Sequence, residues 1–221
     1  DHCAAFDFID GGGLDAAFLG FGECDGAGNV NASRFGTRVP GCGGFINISQ
    51  NSKKVVFVGS FSSGGVKASV ENGGMRIEQE GKHRKFVEHV GQITFSAATA
   101  LARSQEVLYV TERCVFRLTD RGLRVTEIAP GIDLERDILK LLPFKPVVDN
   151  PARMDAAIFR PASMRLRDRM LDIRIDDRLS YDAETNTIFM NYAGMRVRTE
   201  ADIKTILAAV TPVQRAVAAV V

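Results

Sequence analysis

The stretch Val39-Pro40-Gly41-Cys42-Gly43-Gly44-Phe45-Ile46-Asn47-Ile48 constrains this chain more than any other. Three glycines in four positions admit positive φ and remove the Cβ atoms that would hold a ligand off the main chain. Consecutive N–H groups can then converge on a carbonyl oxygen or a phosphate, and such a loop can stabilise an oxyanion. The same spacing also suits a tight turn where only glycine fits, and glycines alone do not separate the two readings. Apolar residues follow at once, so 45–50 is expected to form a short helix whose first N–H groups extend the anion-binding surface.

Before the loop, Asp7-Phe8-Ile9 and the apolar segment 14–22 read as core strands. Asp25-Gly26-Ala27-Gly28-Asn29 is turn chemistry, returning 30–32 as a hairpin partner. After it, Lys54-Val55-Val56-Phe57-Val58-Gly59 is the clearest buried strand. Segments 66–71 and 75–79 flank Asn72-Gly73-Gly74 and predict a solvated antiparallel flap. Further strands are expected at 92–95, 107–110, 114–118 and 123–128. Asp133 is placed to cap a helix over 134–142, which Pro143 ends. Pro143, Pro146 and Pro151 make a composition break, giving expected domains 1–145 and 152–221. The second of these reads as a β-α-β unit: a strand at 187–192, a helix at 199–210 with an Ile203, Ile206, Leu207, Val210 stripe, and a closing strand at 216–221.

At 221 residues the chain can bury about 70% of its unfolded surface. Its 28 Lys and Arg against 27 Asp and Glu leave a charge of +1, which gives no field for nucleic acid or an anionic membrane. The four cysteines, Cys3, Cys24, Cys42 and Cys114, form no C-x-x-C pair, and His2, His83 and His89 have no ligand spacing; reduced thiols and no metal are expected. No apolar run reaches the roughly 18 residues of a membrane span and no charged-then-apolar leader opens the chain, so a cytoplasmic protein is the expectation. A start at Asp1 and an end on Ala216-Val217-Ala218-Ala219-Val220-Val221 suggest a piece of something longer.

Five segments occur in an order that resembles one family. They are Asp7-Phe8-Ile9-Asp10-Gly11-Gly12-Gly13-Leu14-Asp15, then Gly28-Asn29-Val30-Asn31 with Ser33-Arg34-Phe35-Gly36, then Gly41-Cys42-Gly43-Gly44-Phe45-Ile46-Asn47-Ile48. Thr111-Glu112-Arg113-Cys114-Val115-Phe116 and Glu127-Ile128-Ala129-Pro130-Gly131-Ile132-Asp133-Leu134 complete the series. Together they resemble the C-terminal half of a family I coenzyme A transferase of the acetate or propionate type, with Phe159-Arg160-Pro161 marking a C-terminal extension. The resemblance implies an open α/β fold, a β-rich sheet domain with a small appendage. It also implies ping-pong chemistry in which a glutamate carries CoA as a glutamyl thioester. That glutamate sits upstream of the Asp-Gly-Gly-Gly segment in the family, outside this chain. The substrates implied are acyl-CoA and a short-chain carboxylic acid, with coenzyme A as substrate and no permanently bound cofactor. The missing N-terminal half of the same enzyme and a homo-oligomer are the implied partners. On this reading Gly43 and Gly44 supply the oxyanion hole, and Gly41, Gly43, Gly44, Phe45 and Asn47 bind substrate or CoA; Asn47 could instead cap its helix.

Several tempting residues have plainer readings. Glu71, in Val70-Glu71-Asn72-Gly73-Gly74, resembles a nucleophile motif of related transferases, yet it follows the glycine loop and lies at a turn edge, so it is assigned to solvent. Glu112-Arg113-Cys114 reads as an ion pair beside a buried cysteine, and Cys42 as loop packing. Lys82-His83-Arg84-Lys85 could meet CoA phosphates but is assigned to a solvated turn. Two function classes stand: a portion of a CoA-transferase, and a non-catalytic CoA-binding or dimerisation module.

Overall fold

The structure, a computed structural model, describes residues 1–218. It divides into two compact units, Asp1–Ala162 and Ser163–Val221. The helices of the first unit are α1 (His2–Asp10), α2 (Phe45–Asn51), α3 (Ala97–Ala102) and α4 (Leu134–Asp137). Its strands begin with β1 (Ala16–Gly20), β2 (Glu23–Cys24), β3 (Val30–Asn31), β4 (Lys54–Val58), β5 (Ser62–Ser63) and β6 (Lys67–Glu71). They continue with β7 (Gly74–Gln79), β8 (His83–Arg84), β9 (Glu106–Val110), β10 (Cys114–Thr119), β11 (Gly122–Ile128) and β12 (Val147–Arg153). Six of these make one sheet in the order β1-β4-β9-β10-β11-β12. β1, β4 and β9 run parallel, β10 is antiparallel to both its neighbours, and β12 is parallel to β11.

The expected mixed α/β fold with a β-rich open sheet is therefore the one observed. Its strands form where β-branched and aromatic residues run together, and the period of two sends alternate residues to one face. In the paired registers Val55 faces Val107 and Phe57 faces Tyr109, all four buried on the core side. Phe57 collects Phe45, Phe95 and Tyr109 at ring separations of 5.8, 5.0 and 5.4 Å. Phe86 does the same for Phe61 and Phe116 at 4.9 and 5.2 Å. Rings at these distances exclude water across the whole layer and fix α2 against the sheet.

Four expectations are corrected. Asp7-Phe8-Ile9 lies in α1, which Asp1 caps by accepting from the Cys3 N–H, and no residue of that helix is buried. Segment 92–95 adds only an isolated bridge between Val30 and Phe95. The helix expected over 134–142 is one α turn, capped by Asp133 as predicted, followed by a 3-10 turn at Leu139–Leu141. The proline-rich break is not a boundary: Val147–Arg153 forms β12 despite Pro151, because an edge strand has one side on which a missing N–H costs nothing. The units divide instead after Ala162.

The second unit contains α5 (Leu166–Leu171), a hairpin of β13 (Leu179–Asp182) and β14 (Thr187–Met190), and α6 (Glu200–Ala218). It is a hairpin followed by a helix rather than the expected β-α-β unit. Thr199 and Asp202 start α6 reciprocally, the Asp202 carboxylate accepting from the Thr199 N–H at 2.8 Å and Thr199 Oγ1 accepting from the Asp202 N–H at 3.2 Å. The helix runs on through Pro212, where Thr211 donates its hydroxyl to the Leu207 carbonyl one turn back. Residues 216–218, expected to begin a strand, are helical, and 219–221 lie outside the described residues. The stripe expected to lie on a sheet is only partly covered, with Ile203 49% and Leu207 55% exposed. Among the described residues no helix is long and apolar enough to cross a membrane.

Candidate functional site

The glycine loop enters α2, and α2 returns to β4 beside β1. Because that helix runs against the parallel strands, the loop lies at the strands' carboxyl edge, the usual ligand side of such sheets. Gly41 and Gly43 adopt positive φ, +82° and +50°. The Gly41 N–H donates to the Ser33 carbonyl, and the Phe45 N–H donates to the Cys42 carbonyl at 2.9 Å. A Cβ on Gly41 or Gly43 would meet no atom within 4 Å, so their smallness serves no packing in the described chain and leaves the main chain open to a ligand.

The other predicted residues are placed differently. A Cβ on Gly44 would come 2.8 Å from Phe6 Cζ, so that glycine lets α1 pack on the start of α2. Phe45 is buried and stacked on Phe57, turned into the core rather than toward the loop opening. Asn47 donates its amide to both Asp10 carboxylate oxygens at 3.0 and 3.2 Å, and Asn51 donates to the same carboxylate at 3.1 Å. Asn47 does not cap its helix, whose N-cap is Gly44; it lies within α2 and ties that helix to the end of α1. Cys42 is half-buried among apolar neighbours, as loop packing requires.

Glu112 and Arg113 form the ion pair expected of them, as part of a larger cluster. Arg113 is fully buried and donates from Nε to Glu112 at 2.9 Å and from both terminal nitrogens to Glu80 at 2.7 and 3.2 Å. It also donates to the Asp137 carbonyl and lies over the Phe61 ring. The second Glu112 oxygen accepts from the Phe61 N–H at 2.7 Å, so neither oxygen is free for nucleophilic work. Cys114 is buried beside it, and burial pushes its thiol up to about 12. Glu71 sits exposed at the hairpin turn, as read from the sequence.

The basic run is where the sequence reading falls short. His83–Arg84 pair with Ser62–Ser63 as a short ribbon rather than a free turn. With Phe21, Phe35 and Arg38, the side chains of Lys82, Arg84 and Lys85 line a cavity of about 830 Å³. Phe21 follows β1 directly, which puts this cavity at the carboxyl edge of the sheet. Lys85 sits 3.9 Å above the Phe21 ring, and burial holds its ammonium below the usual lysine range. The four residues of the run were visible as charge. Their meeting with residues 21, 35 and 38, some 45 to 60 positions away, has no local signature.

These features, an α/β sheet with an open glycine loop at its carboxyl edge, occur in a chain that is similar over about three quarters of its length to CoA-transferases. The chain is 44% identical over 165 residues to the acetate CoA-transferase YdiF of Escherichia coli strain K12, covering 74% of this chain and 31% of YdiF. It is 46% identical over 165 residues to the caffeate CoA-transferase of Acetobacterium woodii, covering 72% and 31%. The crystal structure of the YdiF apoenzyme from Escherichia coli O157:H7 superposes with a TM-score of 0.72 over 74% of this chain and 32% of that one. The decarboxylase AibA/AibB, at 18% identity and a TM-score of 0.52 for its C56V variant, shares the fold. No protein-family model matches the chain. The chain spans about a third of the length of the enzymes it matches.

Proposed function

We propose that this chain is part of an acyl-CoA:carboxylate CoA-transferase and contributes the glycine loop to its acyl-CoA site. The observation that carries the reading is the 44–46% identity to two CoA-transferases over a segment that includes most of the first unit. The open approach to Gly41 and Gly43 supports it, since a thioester carbonyl needs a main chain without side chains in the way.

In the proposed reaction a glutamate outside this chain attacks the thioester carbonyl. The C–S bond breaks, CoA leaves as its thiolate, and an acyl-glutamyl anhydride forms. The thiolate then attacks the glutamyl carbonyl and releases the acyl group as a carboxylate, leaving a glutamyl-CoA thioester. A second carboxylate runs both steps in reverse, with no net proton or redox change. Both intermediates are similarly activated, so neither half-reaction is steep, and the N–H of Gly43 offers a donor to each oxyanion. Soluble action in the cytoplasm and assembly with the rest of the enzyme and with further copies belong to the same proposal.

The test incubates acetyl-CoA and propionate with the isolated chain and follows propionyl-CoA by mass spectrometry, then repeats this with the upstream polypeptide present. The isolated chain is expected to be silent, because covalent catalysis without its nucleophile leaves only a small remnant of rate. Transfer is expected on reconstitution. Substantial transfer by the chain alone would place the nucleophile within it, with Glu71 and Glu112 the first to replace.

A further inference from the structure

We propose that Asn31 is a positioning residue for the glycine loop: its side chain fixes the base of the strap 33–41 and, through it, the aim of the Gly43 N–H. The role rests on the transferase reading above. Asn31 ends β3 and is fully buried, and its amide uses its whole hydrogen-bonding capacity. Nδ2 donates to the Arg34 carbonyl at 2.6 Å and to Glu23 Oε2 at 2.8 Å, while Oδ1 accepts from the N–H groups of Ser33 and Arg34 at 3.1 and 3.2 Å. The two bonds to Oδ1 make the turn by which the chain leaves β3. The Ser33 carbonyl, set by that turn, accepts from the Gly41 N–H at 3.3 Å and closes the strap.

Burial does not fix the strap's path, because residues 36–41 are all exposed. Apart from the Phe35 ring, which rests on Gly22, its anchors are at its base. The Ala32 N–H donates to Thr94 Oγ1 at 3.1 Å, and the Ser33 and Thr94 hydroxyls share a bond at 2.7 Å. Glu23 Oε2 also accepts from the Gly91 N–H at 3.1 Å, so Asn31 pulls on a carboxylate that is itself held from the other side. Gly41 and Gly43 have open space around them, and the direction of their N–H groups is inherited from the strap. A misplacement of about 1 Å can cost roughly 10²-fold in rate. An oxyanion donor acts where charge develops, so the loss falls on turnover more than on substrate binding.

Three variants test the role: Asn31→Ala, Asn31→Asp, and Asn31→Asp combined with Glu23→Gln. Asn31→Asp keeps the acceptor for Ser33 and Arg34 but loses the amide donor and sets a second carboxylate against Glu23. Adding Glu23→Gln restores a donor and an acceptor with their direction reversed. The informative probe in the 221-residue protein is the Gly41 N–H, which Asn31 does not touch. Its exchange, read by NMR, is expected to quicken in both single variants and to recover in the double variant, while β4, β9 and β10 stay protected. In the enzyme reconstituted with the upstream polypeptide, both single variants are expected to lower kcat about 10- to 100-fold with the KM for acetyl-CoA within about threefold of the unaltered value. The double variant is expected to regain most of that loss. A residue that only stabilised the fold would lower Tm and leave the kcat of the folded protein unchanged; that result, or unchanged Gly41 exchange, overturns the assignment. Should Asn31→Ala not fold, a double variant no faster than Asn31→Asp alone overturns it equally. Absence of transfer by the unaltered reconstituted enzyme counts against the transferase reading instead, and Gly41 exchange still decides whether Asn31 holds the loop.

Discussion

Neighbouring glycines in one loop answer to different forces, and substitution can separate them. Gly43 holds φ at +50° with open space where a Cβ would point, so Gly43→Ala carries only the left-handed backbone penalty of about 1 to 2 kcal/mol and should lower Tm by a few degrees. Gly43→Val should add a roughly 10²-fold loss of turnover in the reconstituted enzyme, the scale of a displaced oxyanion donor. Gly44→Val meets the Phe6 ring and should instead loosen α1, seen as faster hydrogen exchange over 2–10. Wild-type turnover in Gly43→Val, or its failure to fold, would remove the case for the donor. The buried thiols make a separate prediction. Cys114 is raised from 9.0 to about 12 in the fold, and burial also raises Cys24 and the Tyr109 phenol. Between pH 9 and 12 an unfolded Cys114 loses its proton while the folded one keeps it, so the stability it contributes is complete below pH 9 and is lost as pH rises toward 12. Urea titrations at pH 8 and pH 10.5 should show the midpoint falling. A thiol reagent at pH 8 should label Cys3 and Cys42 in the native protein, and Cys24 and Cys114 only after unfolding.

Among the elements, the β6–β7 hairpin shows how far local chemistry reaches. Asn72 and Gly73 take φ of 51° and 76°, the two positive values a tight hairpin turn requires, and Glu71 is left exposed beside them. Glu71→Gln should therefore leave transfer within a few-fold of wild type. Trapping of a glutamyl thioester at this position by hydroxylamine would reverse that reading. The hairpin is nonetheless not a free flap: the Met75 N–H donates to the Pro130 carbonyl at 2.7 Å, and a Cβ on Gly131 would stand 2.5 Å from the Met75 oxygen. Gly131→Ala, strained also by a φ of +88°, should raise hydrogen exchange across 67–79 while the central sheet keeps its protection. Turn, cap and strand signals of this kind were legible because each is written within a few residues: Asp133 before α4, Asn72-Gly73 in the hairpin, the Val-rich run of β4. What was not legible depended on distant partners. Residues 7–9 have a strand's apolar content, but the Asp1 cap and Asp10's bonds to Asn47 and Asn51 favour a helix. β12 forms around Pro151 because β11 offers it an edge. The partners that Asn47 and Phe45 find in the fold, Asp10 and Phe57, are elsewhere in the chain.

At the scale of the whole molecule, the second unit has a different source of order from the first. Where the first unit has a layer of interlocked rings, the second is organised on Arg178, which is 6% exposed. Its guanidinium donates to the carbonyls of Leu171, Ile173, Asn191 and Ala193 at 2.7 to 3.0 Å, so one cation closes the end of α5 and the turn segment following β14 onto the hairpin. Its recorded partners are main-chain carbonyls, which satisfy a planar fork of donors as a point-like ammonium does not. Removing it leaves the carbonyls of Leu171, Ile173, Asn191 and Ala193 without their shared donor at about 0.5 to 1.5 kcal/mol each, together more than a unit of this size can be expected to hold in reserve. Arg178→Met should therefore unfold the second unit alone, and Arg178→Lys should rescue it only partly. Hydrogen exchange read by mass spectrometry should show loss of protection over 166–191, while β4, β9 and β10 exchange as in the unaltered protein and the first unit's Tm moves by no more than a degree or so. If the variant instead loses protection across the central sheet in step with the hairpin, the two units fold as one, and the division after Ala162 does not describe how the chain gains its stability.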